Sequence, residues 1–299
     1  MKILVIGSKG FIGSHFWEYC QKQLLHETWA CDVAIDYGAK NYYQIDAANA
    51  DFNELFEEHD FDICINCSGA ASVPDSIVHP LRDYYLNTVN VFKLLEAIRK
   101  YRPRCKFLNL SSAAVYGNPQ KLPVNETDPI QPLSPYGYHK SQAENICKEF
   151  ADQFNLSVAS ARIFSAYGPG LKKQLLWDIW QKIKANDIIT LFGTGNETRD
   201  FIYITDLIDA LWCIVQQAKF KGEVYNVANG NGDSIASIAH CYQAHCGKKI
   251  EINFSGEERK GDPTKWQADI TLLQQLGYQQ KVKLEEGIIN YIQWIKGLE

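Results

Sequence analysis

Met1-Lys2-Ile3-Leu4-Val5-Ile6-Gly7-Ser8-Lys9-Gly10-Phe11-Ile12-Gly13 opens the chain, and the rest is read outward from it. Residues 2–6 form a short apolar run with β-branched members, so they read as a first strand rather than a signal peptide. Three glycines spaced by three follow at once, and then a helical pattern passes through Phe16 and Cys20. Strand, glycine turn and helix are the context in which such glycines have a ligand-binding meaning. They let the backbone approach a pyrophosphate, and the helix start offers N–H groups and a positive dipole end. Gly7, Gly10, Phe11, Ile12 and Gly13 are therefore candidate dinucleotide contacts, although the spacing is Gly-x-x-Gly-x-x-Gly and not Gly-x-Gly-x-x-Gly. The competing reading is a tight strand-to-helix turn that holds no ligand.

A second strand is expected over Thr28–Val33, and it carries Asp32, 19 residues after Gly13. A carboxylate there accepts hydrogen bonds from an adenosine ribose and repels a 2′-phosphate. No Arg or Lys falls between Asp32 and Gly38, which favours NAD over NADP. Asp36 competes for the same role, and Asp46, after a short third strand, is placed to reach an adenine. Further strands are expected at 62–67, 106–110 and 157–164, separated by helices at 81–101 and 136–154. The long helix puts Leu86, Val89, Phe92, Leu94, Leu95 and Ile98 on its apolar side. This alternation predicts an α/β fold with a Rossmann-type, doubly wound parallel sheet. Residues 1–164, rejoined by 201–228, form the expected dinucleotide domain. Residues 165–200 and 229–299 form the expected smaller substrate lobe.

Ser134-Pro135-Tyr136-Gly137-Tyr138-His139-Lys140 follows a loop with prolines at 119, 123, 129 and 132. Tyr136 and Lys140 are one helical turn apart, whereas Tyr138 points elsewhere. An ammonium beside a phenol favours the phenolate. Tyr136 is thus a candidate general acid/base whose pKa Lys140 lowers toward neutrality.

Composition narrows the class. A chain of 299 residues can bury one large core with an appended lobe. A formal charge of -5 without a Lys/Arg-rich run gives no case for nucleic acid. No stretch approaches ~18 consecutive apolar residues, so no membrane span is expected. Nine cysteines, scattered and odd in number, suit a reducing, cytoplasmic compartment. Cys64-Ile65-Asn66-Cys67 lies within an expected buried strand and no second pair follows, so no metal site is expected.

Five stretches together resemble the extended short-chain dehydrogenase/reductase family, in its nucleotide-sugar epimerase/dehydratase branch. They are the glycine turn, Leu110-Ser111-Ser112-Ala113-Ala114-Val115-Tyr116-Gly117, Ser134–Lys140, Arg162-Ile163-Phe164-Ser165-Ala166-Tyr167-Gly168-Pro169-Gly170, and Arg199-Asp200-Phe201-Ile202-Tyr203-Ile204. The resemblance implies that Tyr136 exchanges a proton with a sugar hydroxyl, usually on C4, while hydride passes between that carbon and NAD. Lys140 would hold the nicotinamide ribose. Ser112, with Ser111 as the alternative, would bond the same sugar oxygen, and Asn87 would buttress the site. Arg199 and Arg259 would reach the diphosphate of a nucleotide-diphosphate sugar, and Ser165 stands where relatives carry an Asn that contacts substrate. Ala113 and Ala114 occupy the positions of the dehydratase Asp-Glu pair, which argues against elimination. Lys172 and Lys173 replace a stretch that covers the nucleotide in relatives. The implied activity is an NAD-dependent 4-epimerase. The alternatives are a 4-keto-6-deoxy-sugar reductase using NAD(P)H and a dinucleotide-binding protein without catalysis. The family also implies a homodimer through the helices at 81–101 and 136–154.

Overall fold

The computed structural model describes residues 1–22, 26–46, 49–257 and 263–298. Seven parallel strands form the central sheet in the order β11-β6-β5-β4-β1-β2-β3. They are β1 (Lys2–Ile6), β2 (Glu27–Asp32), β3 (Tyr42–Gln44), β4 (Ile63–Asn66), β5 (Lys106–Ser112), β6 (Val158–Ile163) and β11 (Lys221–Val227). The inner strands are apolar along their length because both faces are covered: every residue of β4 and β6 is buried. One face carries α1 (Phe11–Lys22) and α8 (Ile204–Gln217). The other carries α2 (Asn53–Glu58), α5 (Asn90–Tyr101) and α6 (Pro135–Phe154). Strand order reverses between β1 and β4, and a crevice opens beyond the carboxyl ends of the strands at such a point.

Three small strand pairs lie beyond those carboxyl ends. β7 (Ser165–Tyr167) pairs with β10 (Phe201–Tyr203), β8 (Ile188–Leu191) with β13 (Glu251–Phe254), and β9 (Thr198–Arg199) with β12 (Asp233–Ser234). With α7 (Gln174–Ala185), α9 (Ile235–His245), α10 (Thr271–Gln275) and α11 (Leu284–Lys296) they complete the carboxyl-terminal part of the chain.

The expected helix at 81–101 is interrupted. α3 (Val73–Val78) and α4 (Pro80–Tyr84) lead into a π-helical turn at Tyr85–Val89, and α5 follows. The wider turn rotates the face that comes after it. Phe92, expected in the core, is 44% exposed, whereas Leu94, Leu95 and Ile98 are buried as expected and Val91 joins them. Each such side chain contributes at most about 1.5–3 kcal/mol by leaving water. The same turn buries Asn87 and Thr88.

Helix α6 starts where local chemistry requires. Ser134 is extended and its hydroxyl accepts from Gly137 N at 3.3 Å, with Pro135 at the first helical position. The helix ends at Asn155 in the left-handed conformation, φ 55°. Gly137 is required by contact: a Cβ there would lie 2.6 Å from Ala114 O. That contact seats Tyr136 directly beside the turn after β5.

Candidate active site

The glycine turn closes on itself. Gly10 N donates to Gly7 O at 3.0 Å, and a Cβ on Gly13 would lie 2.1 Å from that same oxygen. Gly7 has φ +77°, and a Cβ on it would meet Ser68 N at 2.7 Å. The first turn of α1 therefore faces the crevice with backbone rather than side chain, as a pyrophosphate site requires. Phe11 and Ile12 begin α1, and Gly170 approaches Phe11 and His15 from the far side of the crevice.

Asp32 ends β2. Its carboxylate accepts from Lys9 N at 2.8 Å and Val33 N at 2.8 Å, which fixes it beside the glycine turn. Asp36, the competing acid, bonds Gly38 N and Ala39 N in its own turn and pairs with Lys9 Nζ. Lys9 is thus a cation near this end of the crevice that the Asp32–Gly38 interval did not reveal. Asp46 is exposed after β3 and accepts from Asn49 N at 2.8 Å.

Ser112, Tyr136 and Lys140 converge at the end of β5. Ser112 caps the short 3₁₀ turn Ala113–Val115, accepting from Ala114 N at 3.2 Å, and its side chain hydrogen-bonds Tyr136. Ser111 points away and donates to Glu144. Lys140 Nζ donates to Leu110 O at 2.9 Å and lies 6.0 Å from the centre of the Tyr136 ring. Both side chains are buried, and burial acts on their titration. Burial pushes Tyr136 up to about 12, against a lowering hydrogen bond from Ser112, and the Asp83 charge adds to the rise. Burial also brings Lys140 down to about 8, opposed chiefly by Asp83 and Glu144. Loss of water is the largest cause of both displacements.

Asn87 faces the same corner. A Cβ on Gly69 would lie 2.4 Å from Asn87 Oδ1 and 3.5 Å from Lys140 Nζ. Both amide atoms of Asn87 are buried without a hydrogen-bond partner among the described residues. An unspent buried amide, a glycine-lined helix start and a ribose-facing carboxylate fit a nicotinamide dinucleotide along this crevice.

Ser165 begins β7, its N–H bonded to Asp200 O at 2.9 Å. Arg199 lies over the Trp266 ring at 5.5 Å, and Trp266 Nε1 donates to Gly117 O at 2.9 Å. Asp200 is fully buried and receives N–H groups of Asn229 and Ala268. Burial still pushes its carboxyl up to about 7. Lys172 and Lys173 are exposed ahead of α7. Arg259 lies outside the described residues. Sequence reasoning missed Trp266, which falls in a tail that reads only as helix-rich, and it missed Asp83 and His139. The signal for His139 was its place as the i+3 neighbour of Tyr136.

A parallel doubly wound sheet with Ser, Tyr and Lys at a dinucleotide crevice defines a nicotinamide-dependent enzyme of the short-chain dehydrogenase/reductase type. Residues 3–228 match the NAD dependent epimerase/dehydratase family, and the chain belongs to that family. A protein of Methanocaldococcus jannaschii is 30% identical over 98% of both chains. The UDP-glucose 4-epimerase of Bacillus subtilis is 28% identical, over 98% of this chain and 96% of that one. The crystal structure of Bacillus cereus UDP-glucuronic acid 4-epimerase, with UDP-glucuronic acid and NAD, superposes at a TM-score of 0.90 with 28% identity over all of both chains. That of Thermotoga maritima UDP-glucose 4-epimerase with UDP-glucose superposes at 0.88 with 27% identity, again over all of both chains.

Proposed function

We propose that this chain is an NAD-dependent 4-epimerase of UDP-sugars. The observation that carries the reading is the meeting of Ser112, Tyr136 and Lys140 at the end of β5, in a chain similar throughout its length to UDP-sugar 4-epimerases. Bound NAD supplies a hydride acceptor that also returns the hydride. Tyr136 exchanges the proton of the C4 hydroxyl, and Ser112 bonds the same oxygen. Lys140 provides the positive charge that a buried phenolate needs. Gly7, Gly10, Phe11, Ile12 and Gly13 hold the pyrophosphate of the cofactor, Asp32 its adenosine ribose, and Asp46 lies toward the adenine. Asn87 spends its free amide on the cofactor or sugar. Ser165, Arg199 and Arg259 meet the sugar nucleotide, the arginines on its diphosphate. Residues 1–164 with 201–228 form the cofactor half, and 165–200 with 229–299 the sugar-nucleotide half.

The chain works as a homodimer with a second copy on α4–α6. Leu81, Tyr85, Phe92 and Tyr138, exposed by 67, 53, 44 and 54%, supply an apolar surface there. Light scattering that finds a monomer at working concentration removes the dimer. Nine unpaired thiols are in keeping with a reducing, cytoplasmic setting, and no helix among the described residues is long and apolar enough to cross a membrane.

Denaturing the purified protein and identifying the released nicotinamide tests the function. Stoichiometric NAD, with turnover of UDP-glucose or UDP-glucuronic acid and no added cofactor, is the expected result. An empty protein that oxidises NADPH only when a 4-keto sugar is added would establish a reductase instead.

A further inference from the structure

Trp266 touches three parts of the crevice, and the proposed chemistry gives it no task. Its backbone is pinned beside β9. Thr198 N donates to Thr264 O at 3.1 Å, and Trp266 N donates to Thr198 O at 3.0 Å. On its other edge β9 pairs with β12, Thr198 opposite Ser234 and Arg199 opposite Asp233. Arg199 therefore projects from backbone that is held on both sides.

The half-buried indole is fixed as well. Its Nε1 donates to Gly117 O at 2.9 Å, and Phe164, next to Ser165, meets the ring edge-on at 5.8 Å. Gly117 belongs to the turn that Ser112 caps, since Gly117 N donates to Ala114 O at 3.4 Å and Ser112 Oγ accepts from Ala114 N. Trp266 thus ties the Ser112 turn to β9. From that position it offers its ring face to the Arg199 guanidinium, 5.5 Å from the ring centre.

A mobile arginine side chain loses up to about 2 kcal/mol of rotamer freedom when a ligand orders it. A guanidinium already laid on an aromatic face has given up part of that freedom before the ligand arrives. Stacking engages the flat face of the group and not its N–H edge, which is the part that grips phosphate oxygens. Arg199 Nη1 also donates to Thr198 O at 2.9 Å, which folds the side chain back over its own strand.

We propose that Trp266 is a positioning residue that holds the Arg199 guanidinium where the diphosphate of the sugar nucleotide binds. The proposal rests on the reading of Arg199 given above, and its test needs no turnover. In calorimetry with UDP alone, Trp266→Leu should weaken binding about tenfold, and Trp266→Phe, which keeps a ring face, by no more than about threefold. In an Arg199→Ala background, Trp266→Leu should cost less than about twofold, because both changes act through one group. A folded Trp266→Leu that binds UDP like wild type overturns the proposal. So do equal losses in Trp266→Leu and Trp266→Phe, or the same tenfold loss with and without Arg199, as a merely structural role would give.

If Trp266→Leu fails to fold, the indole N–H resonance of Trp266 decides, assigned by its loss in Trp266→Phe. It should move in free Arg199→Ala, and UDP should move it further in wild type than in Arg199→Ala. A resonance that Arg199→Ala leaves in place, or that UDP moves equally in both proteins, overturns the proposal. Wild type that binds no UDP would remove the sugar-nucleotide reading and this proposal with it. Wild type that binds UDP, with Trp266→Leu unchanged, would remove this proposal alone.

Discussion

Glu144, on α6, and Asp83, on α4 beside it, both bury a carboxylate, yet their surroundings differ. Glu144 is gripped by the Arg162 fork and by Ser111. Arg162 goes on to Tyr116 at 2.7 Å, Tyr116 to Asn226 at 2.7 Å, and Asn226 to the carbonyls of Val124 and Asp269. This network joins β5, β6, α6, β11 and the loop before α10. On the crevice side, among the described residues, Asp83 has one histidine and an unpartnered oxygen, Asn87 has an unpartnered amide, and Lys140 and Tyr136 are both displaced from their ordinary titration by burial. A polar network with its partners in place makes a frame rigid. Polar groups left short of partners within that frame keep their hydrogen-bonding capacity for a ligand. The contrast predicts that changes in the first region act on stability and changes in the second on chemistry.

The largest effect tests the crevice alone. Tyr136→Phe should lower kcat about 10³-fold while the melting temperature stays put, because it removes the proton-transfer group and little packing. Steady-state kinetics beside a thermal melt reads both.

Next comes the frame. Glu144→Ala leaves Arg162 buried without its carboxylate and should cost roughly 3–5 kcal/mol of unfolding free energy in urea. Activity per folded molecule should fall far less than in Tyr136→Phe.

Lys140→Met inverts the usual pairing of the two quantities. The folded chain holds Lys140 near 8 against an ordinary 10.5, so the unfolded chain binds that proton more tightly. The wild-type penalty is full below pH 8, shrinks as pH rises between the two values, and is gone above 10.5. The variant should therefore be inactive and yet more stable at pH 7, by up to about 3 kcal/mol. That gain should vanish by pH 11 in a series of urea melts.

The smallest pair of effects sharpens the contrast within one residue type. Asn226→Leu strands two backbone carbonyls and Tyr116, and should cost about 1–3 kcal/mol. Asn87→Leu removes an amide with no partner among the described residues and should change stability by less than about 1 kcal/mol, while weakening NAD binding in calorimetry.

Much of this was legible in the sequence because it depends on local rules. The glycine turn, the strand ends at Asp32 and Ser112, and the Ser134-Pro135 helix start are each specified by neighbours within a few residues. What depended on long-range contact was not legible. The π-turn that buries Asn87, and the exposure of Phe92 after it, depart from the 3.6-residue periodicity that the sequence shows. Ser111 and Ser112 alternate on a strand, and only the position of Glu144, 33 residues on, shows that Ser111 belongs to the frame. The spacing of Tyr136 and Lys140 brings the two side chains together, while burial raises the titration of the one and lowers that of the other. Spacing reports the attraction between two groups and says nothing of how little water reaches them.

Proton NMR of the sugar during turnover in deuterium oxide tests the central claim most directly. The protein, carrying only the NAD it retains, is given UDP-glucose or UDP-glucuronic acid. Because hydride leaves C4 and returns to it without exchanging with solvent, the C4 epimer should accumulate with protium still at C4, and Tyr136→Phe should form it about 10³-fold more slowly. Deuterium at C4, or no epimer until a reduced nicotinamide and a 4-keto sugar are supplied, would contradict the account.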